Sequence, residues 1–351
     1  MEEYSRIGFG KSGRIMSKRT SQSSKKQRKV LFSLLILVVA AVIALSQGVK
    51  LSDLPDFLFG DGELPTSRPS SSQNISGENG DISANEEDLK VYFLKVGQAD
   101  CTVATLPNGE TMVIDAGNNS DGKKIVAFLQ ELGIQKIDYL IGTHPHEDHI
   151  GGVDDLIEGF SIGKVYLPRV ADDMVPTTKT YTEVLEAVVD KGKKVTTGKA
   201  GMTILQEDGI TISFLAPTAK EYGDLNSYSI VVRLTYGERS FLFMGDAEID
   251  SEELILDSGA DVRADILKLG HHGSSTSSSK EFLDAVNPVT VMISCGKDND
   301  YGHPHREILQ MIKERKLRSY RTDTDGTVCV TCDGKGFQYE MLDVDCDGTT
   351  E

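Results

Sequence analysis

The sequence predicts an α+β protein: an αββα sandwich of two mixed β-sheets with helices on both outer faces, set behind an N-terminal transmembrane helix. Three observations lead there. From residue 89 onward, apolar runs of strand length alternate with amphipathic helical stretches, in two successive β-rich halves. Polar clusters carrying every histidine of the chain fall in loops directly after apolar strands, where a rigid scaffold presents its chemistry. Ahead of this region stand one uncharged apolar stretch and a polar tether.

The N-terminus is read first. Residues 1–29 carry nine Lys/Arg against Glu2 and Glu3, about +7 by count, so the formal −17 of the whole chain leaves about −24 for the rest. Residues 30–45 (VLFSLLILVVAAVIAL) hold one polar residue, Ser33, and no charge. Extended to about residue 49 they reach the ~20 residues a spanning helix needs. The basic cluster immediately before them places the N-terminus in the cytoplasm and the rest of the chain outside the cell. We therefore expect a basic cytoplasmic tail over 1–29 and a single-pass signal anchor over 30–47. The length of the basic segment favours an anchor over a cleavable signal peptide, for which Ala44-Leu45-Ser46 is the available cleavage site and which would leave a secreted protein. Residues 48–88 are rich in Ser, Asn, Gly and acids and poor in large apolar residues, which predicts a disordered linker. The folded domain is expected over 89–342, followed by a tail over 343–351.

Within that domain, 89–96 and 101–106 read as strands, and 111–115 as a third after the Asn108-Gly109 hairpin signal. An amphipathic helix over 121–132 carries Ile125, Phe128, Leu129 and Leu132 on one stripe. Residues 137–143 are a buried strand type, and helices are expected from 152 and over 181–191, with a short strand at 165–167 between them. Four strand-like runs fill 202–246. Strands at 265–269 and 289–294 then alternate with helices at 250–256, 280–286 and 305–316, and a terminal hairpin is expected from 318–321 and 327–331 around Asp325-Gly326. So acidic a domain has no general attraction for a polyanion, which argues against tight non-specific nucleic-acid binding. The five cysteines are too few and odd in number for a disulfide framework, and the Cys329-x-x-Cys332 pair is half a zinc site at most, so both read as ordinary strand residues.

The chemistry concentrates in Thr143-His144-Pro145-His146-Glu147-Asp148-His149, where three imidazoles and the Asp148 carboxylate fall within residues 144–149. These are ligands for zinc, manganese or iron. Read as an extended loop between a buried strand and a helix, the segment lets His144 and His146 share one ion while Asp148 and His149 turn to a second. Asp246 ends an apolar strand, where a carboxylate can bridge two ions. His271-His272 follow one later strand and His303 and His305 another, so no histidine lies outside these loops.

In order, Asp115-Ala116-Gly117, the His-x-His-x-Asp-His segment with Gly151-Gly152, Asp246 and the later histidines resemble the metallo-β-lactamase fold. The stretches 93–100 (FLKVGQAD), 146–152 (HEDHIGG), 226–229 (NSYS), 243–246 (FMGD), 271–274 (HHGS) and 299–304 (NDYGHP) are similar to the hydrolase domain of ComEC-type DNA-uptake proteins of bacterial competence. Three departures stand out. Lys95 stands where such domains usually have Asp, and Ala99 where they often have Gly. No histidine lies between His149 and His271, which disfavours lactam hydrolysis. One apolar span cannot build a DNA channel.

The resemblance implies two divalent ions, Zn or Mn. His144 and His146 would hold one, Asp148 and His149 the other, Asp246 would bridge, and His271 and His303 would complete the shells. His272 would contact a phosphate or protonate the leaving group, although which of His271 and His272 is the ligand stays open. Asp148 is also assigned a catalytic part, Asn226 with Ser227 would line the pocket, and Asp115 would hold a ligand histidine from behind. The implied activity is a membrane-tethered extracellular phosphodiesterase or nuclease acting on DNA or a related phosphodiester. The alternatives are a metal-dependent esterase of envelope phosphodiesters such as phosphorylcholine, and a non-catalytic, metal-stabilised binding module.

Overall fold

The computed structural model describes residues 59–60 and 88–348. The expected anchor and nearly all of the linker lie outside them. Among the described residues no helix is long and apolar enough to cross a membrane.

Two mixed sheets form the domain. The first has nine strands in the order β1-β7-β6-β5-β4-β3-β2-β15-β16 and the second seven in the order β14-β13-β12-β11-β10-β9-β8. In the first, β2 (Leu89–Phe93), β3 (Thr102–Thr105) and β4 (Thr111–Ile114) form a meander, and β4, β5 (Lys136–Ile141), β6 (Ser161–Pro168) and β7 (Val195–Gly198) continue it in parallel. The two-residue β1 (Phe59–Gly60) lies parallel to β7. In the second sheet, β8 (Thr203–Glu207), β9 (Ile210–Ala216), β10 (Val231–Tyr236) and β11 (Arg239–Phe243) are antiparallel, while β11, β12 (Ile266–Lys268), β13 (Thr290–Ile293) and β14 (Arg318–Arg321) run parallel.

Strand periodicity sends alternate side chains to different cores. In β5, Tyr139 and Ile141 enter the layer between the sheets, while Leu140 faces the helices. In β11, Phe241 and Phe243 point inward and Leu242 outward. Rings from the two sheets meet in the middle layer, Phe93 with Phe243 at 6.1 Å and Tyr166 with Phe214 at 5.3 Å between centroids. The first sheet's outer face is covered by α1 (Gly122–Glu131), α3 (Val153–Gly159) and α4 (Lys179–Asp190), through Ile125, Phe128, Leu129, Leu156, Val184 and Val188. The second is covered by α5 (Ile249–Asp257), α6 (Lys280–Val286) and α7 (Arg306–Arg315), through Ile255, Phe282, Leu283, Ile308 and Ile312.

Two readings of the sequence are corrected. Residues 318–321 and 327–331 are not a hairpin: β14 joins β13 in the second sheet, and β15 (Thr327–Cys332) pairs with β2 and with β16 (Phe337–Leu342) in the first. The turn at Asp325-Gly326 ends a short helical turn, α8 (Thr322–Asp325), that carries the chain from one sheet to the other. The histidine segment is not extended throughout: Glu147–Ile150 form a helical turn, α2, with His146 at its N-cap. Cys329 and Cys332 are buried on opposite faces of β15, in different cores, so they cannot share an ion.

Candidate metal centre

The C-terminal ends of the parallel strands lie along one edge of the sandwich, and the site is built from the loops that leave them. Asp115 follows β4, Thr143 to His149 follow β5, Asp246 follows β11, His271 and His272 follow β12, and the loop with His303 follows β13. Two glycines lock the histidine segment in place. A Cβ on Gly151 would lie 2.2 Å from the Asn118 carbonyl carbon, and one on Gly152 would lie 2.5 Å from the Ala116 oxygen. Only glycine lets α2 settle this closely onto the loop after β4.

Four side chains converge. His149 Nε2 lies 3.2 Å from Asp246 Oδ1 and 3.9 Å from Asp148 Oδ2. His272 Nε2 lies 3.3 Å from Asp148 Oδ2 and 3.6 Å from Asp246 Oδ2. A tetrahedral ion with bonds of 2.0–2.2 Å would hold neighbouring ligand atoms roughly 3.3–3.6 Å apart, so the four observed separations bracket what one ion requires. His149 Nε2 and Asp246 Oδ1 are both buried and have no hydrogen-bond partner, a cost that native folds accept where an ion or a reaction uses the group. The donor set therefore fits a divalent cation.

The backs of these ligands are held. Asp115, buried and at φ +61°, accepts from the Thr143 amide at 2.7 Å and the Thr143 hydroxyl at 2.8 Å, and its Oδ2 lies 2.8 Å from His149 Nδ1. That contact turns His149 Nε2 toward the cluster. His272 Nδ1 lies 3.0 Å from the Ser294 carbonyl and 3.4 Å from Asp100 Oδ1. Asp100 accepts from Lys268 Nζ at 2.6 Å, in an ion pair with almost no exposure. His271 and His272 both adopt left-handed backbone, at φ 48° and 53°, a strain that costs about 1–3 kcal/mol per residue and persists only where the surroundings enforce it.

His144 and His146 form a second pair of nitrogens beside the cluster, Nε2 to Nδ1 at 2.9 Å, and the His144 ring lies 4.2 Å from that of His149. His144 is fully buried, with Nδ1 between the hydroxyls of Thr143 and Ser229. Ser229 Oγ in turn accepts from the Asp246 amide at 3.0 Å.

His271 and His303 form the rim. His271 Nδ1 lies 3.0 Å from Glu248 Oε1 and its Nε2 3.9 Å from Asp246 Oδ2. Of the two adjacent histidines, His272 and not His271 stands in the four-residue group. Asn226, on a 3-10 turn, reaches His271 Nε2 at 3.5 Å and Glu248 at 3.4 Å, and Ser227 bonds Asp250 instead of facing the cluster. The His303 ring lies 5.4 Å from that of His271, and its Nδ1 3.4 Å from the Gln98 amide nitrogen. His305 stands farther out, on Tyr301 O and Ser275 Oγ.

Electrostatics follow from this packing. Burial opposes charge on every member, yet the mutual attraction of acids and imidazoles outweighs it. His149 and His272 hold their protons well above the ordinary histidine range, His272 up to about 10, because Asp246 faces both, with Asp115 behind the first and Asp100 behind the second. Asp246, Asp148 and Asp100 are pulled below the usual carboxylate range by the same imidazoles, and Asp100 by Lys268 above all. His144 is pushed well down by burial and by His149, and His303 to about 4 by burial with His272 and His271. Those two stay neutral, the form in which imidazole binds a metal.

The sequence alone does not single out the Asp100–Lys268 pair or Glu248. Lys268 has a signal: it is the one charge inside the apolar strand after Asp265. Lys95 gives no basic group to the site; its Nζ binds Asp345 at 2.5 Å, near the C-terminus.

The chain matches the metallo-beta-lactamase superfamily over residues 94–297. It is 31% identical over 256 residues to ComE operon protein 3 of Bacillus subtilis (strain 168), covering 68% of this chain and 32% of that protein. It is 30% identical to competence protein ComA of Neisseria gonorrhoeae, over 63% of this chain and 29% of that one, and 28% identical to recombination protein 2 of Haemophilus influenzae, over 69% and 28%. The chain thus spans about a third of the length of these ComEC-type competence relatives. With the sandwich, the glycine-locked histidine segment and the strand-end carboxylates, this extended match shows that the chain belongs to the metallo-beta-lactamase superfamily.

Proposed function

We propose that the protein is a metal-dependent phosphodiesterase held at the outer surface of the cell membrane by its N-terminal segment. The observation that carries this is Asp246. It offers one carboxylate oxygen to His149 and the other to His272, beside a second pair of imidazoles on His144 and His146. Asp246 with Asp148, His149 and His272 suits one ion, and the two imidazoles beside that group supply donors for a second. Asp148, His149, Asp246 and His272 would hold the first ion, and His144 and His146 would supply ligands to a second. Bound there, divalent cations lower the pKa of water toward neutrality and neutralise charge on phosphoryl oxygens.

The remaining steps fall to the chain itself. Asp115 and Asp100 fix the tilt of His149 and His272 from behind, so neither ring can swing out. With its Nε2 turned into the cluster, His272 is badly placed to meet a leaving group. His271 is better placed: it is part-exposed at the rim and oriented by Glu248. It takes the role of general acid at the departing oxygen. Neutral His303, held by Gln98, offers a hydrogen bond to a phosphoryl oxygen.

Purified protein with manganese or zinc is expected to hydrolyse bis(p-nitrophenyl) phosphate or single-stranded DNA, with His149→Ala and Asp246→Ala losing activity and His271→Ala losing mainly kcat. Activity unchanged in the first two variants would overturn the assignment. The strongly acidic charge outside the N-terminal tail favours a second reading, an esterase of small envelope phosphodiesters such as phosphorylcholine. Assaying both substrate types on one preparation separates the two. Two bound ions with no turnover of any ester would instead support a metal-stabilised binding module.

A further inference from the structure

Tyr301 is the most exposed large hydrophobic side chain among the described residues, at 69%. A single exposed tyrosine is ordinary on a protein surface. This one is not free to move with its loop. Asn299 Nδ2 donates to the carbonyls of Gly296 and His303, Asn299 Oδ1 accepts from the His303 amide, and its carbonyl accepts from Gly302 N. His305 Nε2 donates to Tyr301 O at 3.2 Å, while its Nδ1 accepts from the Ser275 amide. The Tyr301 ring lies nearly parallel to that of His303, at 22° and 5.6 Å, and His303 in turn faces His271 and His272. A rigid aromatic ring therefore stands one ring away from the candidate metal cluster, with its other face open.

A basic stripe begins beside it. Residues 306–321 carry six Lys/Arg against Glu307 and Glu314, in a chain whose overall charge is −17. Arg315 is held by Asp284, Arg321 by Asp323, and Arg318 lies over Tyr339. Arg306, the first residue of α7 and the neighbour of His305, and Lys313 are exposed, with no ion pair among the described residues. Together with Leu309, Gln310 and Glu314 they line a shallow depression of about 540 Å³. Seven residues of helix set the two cations about 10 Å apart along one face.

The geometry points to Tyr301 as a stacking subsite for a planar ring next to the scissile phosphodiester, with Arg306 and Lys313 holding the phosphates beyond it. The ligand this fits is a single strand that alternates bases with phosphates, because base–aromatic stacking accepts any base and lysine and arginine track the backbone. A choline ester could lay its quaternary ammonium on the Tyr301 face, but its single phosphate cannot occupy two cations about 10 Å apart. The inference rests on the phosphodiesterase reading and assigns its substrate contacts.

The chain contains no tryptophan, so Tyr301→Trp in the full-length protein creates a lone, selectively excited tryptophan at the subsite. With metal chelated to prevent cleavage, a short oligothymidylate is expected to quench it saturably. An abasic deoxyribose-phosphate strand of equal length is expected to bind more weakly and to quench little. Tyr301→Ala is expected to weaken oligothymidylate binding roughly 5- to 100-fold, the range that stacking supplies, and to leave the abasic strand unchanged. Reversing charge at Arg306 and Lys313 is expected to weaken both strands and to flatten the salt dependence. Equal binding of the two strands, or a Tyr301→Ala variant that binds both as the parent does, overturns the subsite. Hydrolysis of bis(p-nitrophenyl) phosphate is the separate control. If it proceeds while Tyr301→Ala binds both strands normally, the subsite fails and the phosphodiesterase reading stands. If no diester is cleaved but the base-selective quenching is seen, the reverse holds.

Discussion

Replacing Lys268 with methionine tests the electrostatic frame of the site from its least accessible corner. Lys268 and Asp100 are both buried, 2.6 Å apart, and Asp100 Oδ1 faces His272 Nδ1 at 3.4 Å. Methionine keeps most of the volume but leaves the Asp100 carboxylate with His272 as its nearest remaining cation. Breaking a buried pair on one side costs about 3–5 kcal/mol. At about 2–4 °C per kcal/mol for a domain of this size, the midpoint should fall by roughly 6–20 °C. The protonated His272 compensates in part and sets the lower end. Loading metal should enlarge the deficit, because His272 must give up that proton to bind an ion. The assay is thermal unfolding by circular dichroism, with and without metal, for Lys268→Met, Asp100→Asn and the double variant. The double variant should cost less than the two single variants added together. A loss under about 1 kcal/mol for Lys268→Met, or strict additivity, would show that the pair does not carry the site.

Four further outcomes are expected from the geometry. In the metal-free protein His149 and His272 titrate well above their unfolded values, so the folded state binds more protons. That stabilisation is complete below about pH 6.5 and is lost as pH rises toward 10, the reach of His272. Metal must displace these protons, so apparent affinity should rise with pH, and calorimetry near neutral pH should give a binding heat that varies with the ionisation heat of the buffer; a buffer-independent heat would contradict it. Asp115→Asn keeps the shape but exchanges the charge behind His149, and metal affinity should fall about 10- to 100-fold, measured by competition with a chelator. Gly151→Ala should abolish soluble folded protein or lower its midpoint sharply, because the clash is with the backbone at Asn118 and Asn119 and no side chain can yield.

Much of this was legible in the sequence because the signals were local. Residues 280–286 form α6 over the bounds the apolar pattern gives, and the four strand-like runs between 202 and 246 are β8 to β11. What the sequence hid was set by distant pairing. Arg318–Arg321 and Thr327–Cys332 flank a good turn signal, but their hydrogen-bond partners lie in different sheets. The histidine segment gave the donor types and the carboxylate, whereas the helical turn at Glu147 comes from docking Gly151 onto the loop of Asn118. His271 and His272 are equivalent in one dimension. Their consecutive left-handed backbone sends one ring into the cluster and the other to Glu248. Asp100 and Lys268 lie 168 residues apart in sequence, and no local pattern joins them.

The central claim is that Asp148, His149, Asp246 and His272 hold one divalent ion and His144 with His146 a second beside Asp246. Elemental analysis of purified protein after manganese or zinc loading and dialysis, run in parallel on His149→Ala and His146→Ala, tests it most directly. Two ions per chain are expected in the parent protein, with reduced occupancy in each variant. Parent protein that retains no ion, or a His149→Ala variant that retains both, would contradict it.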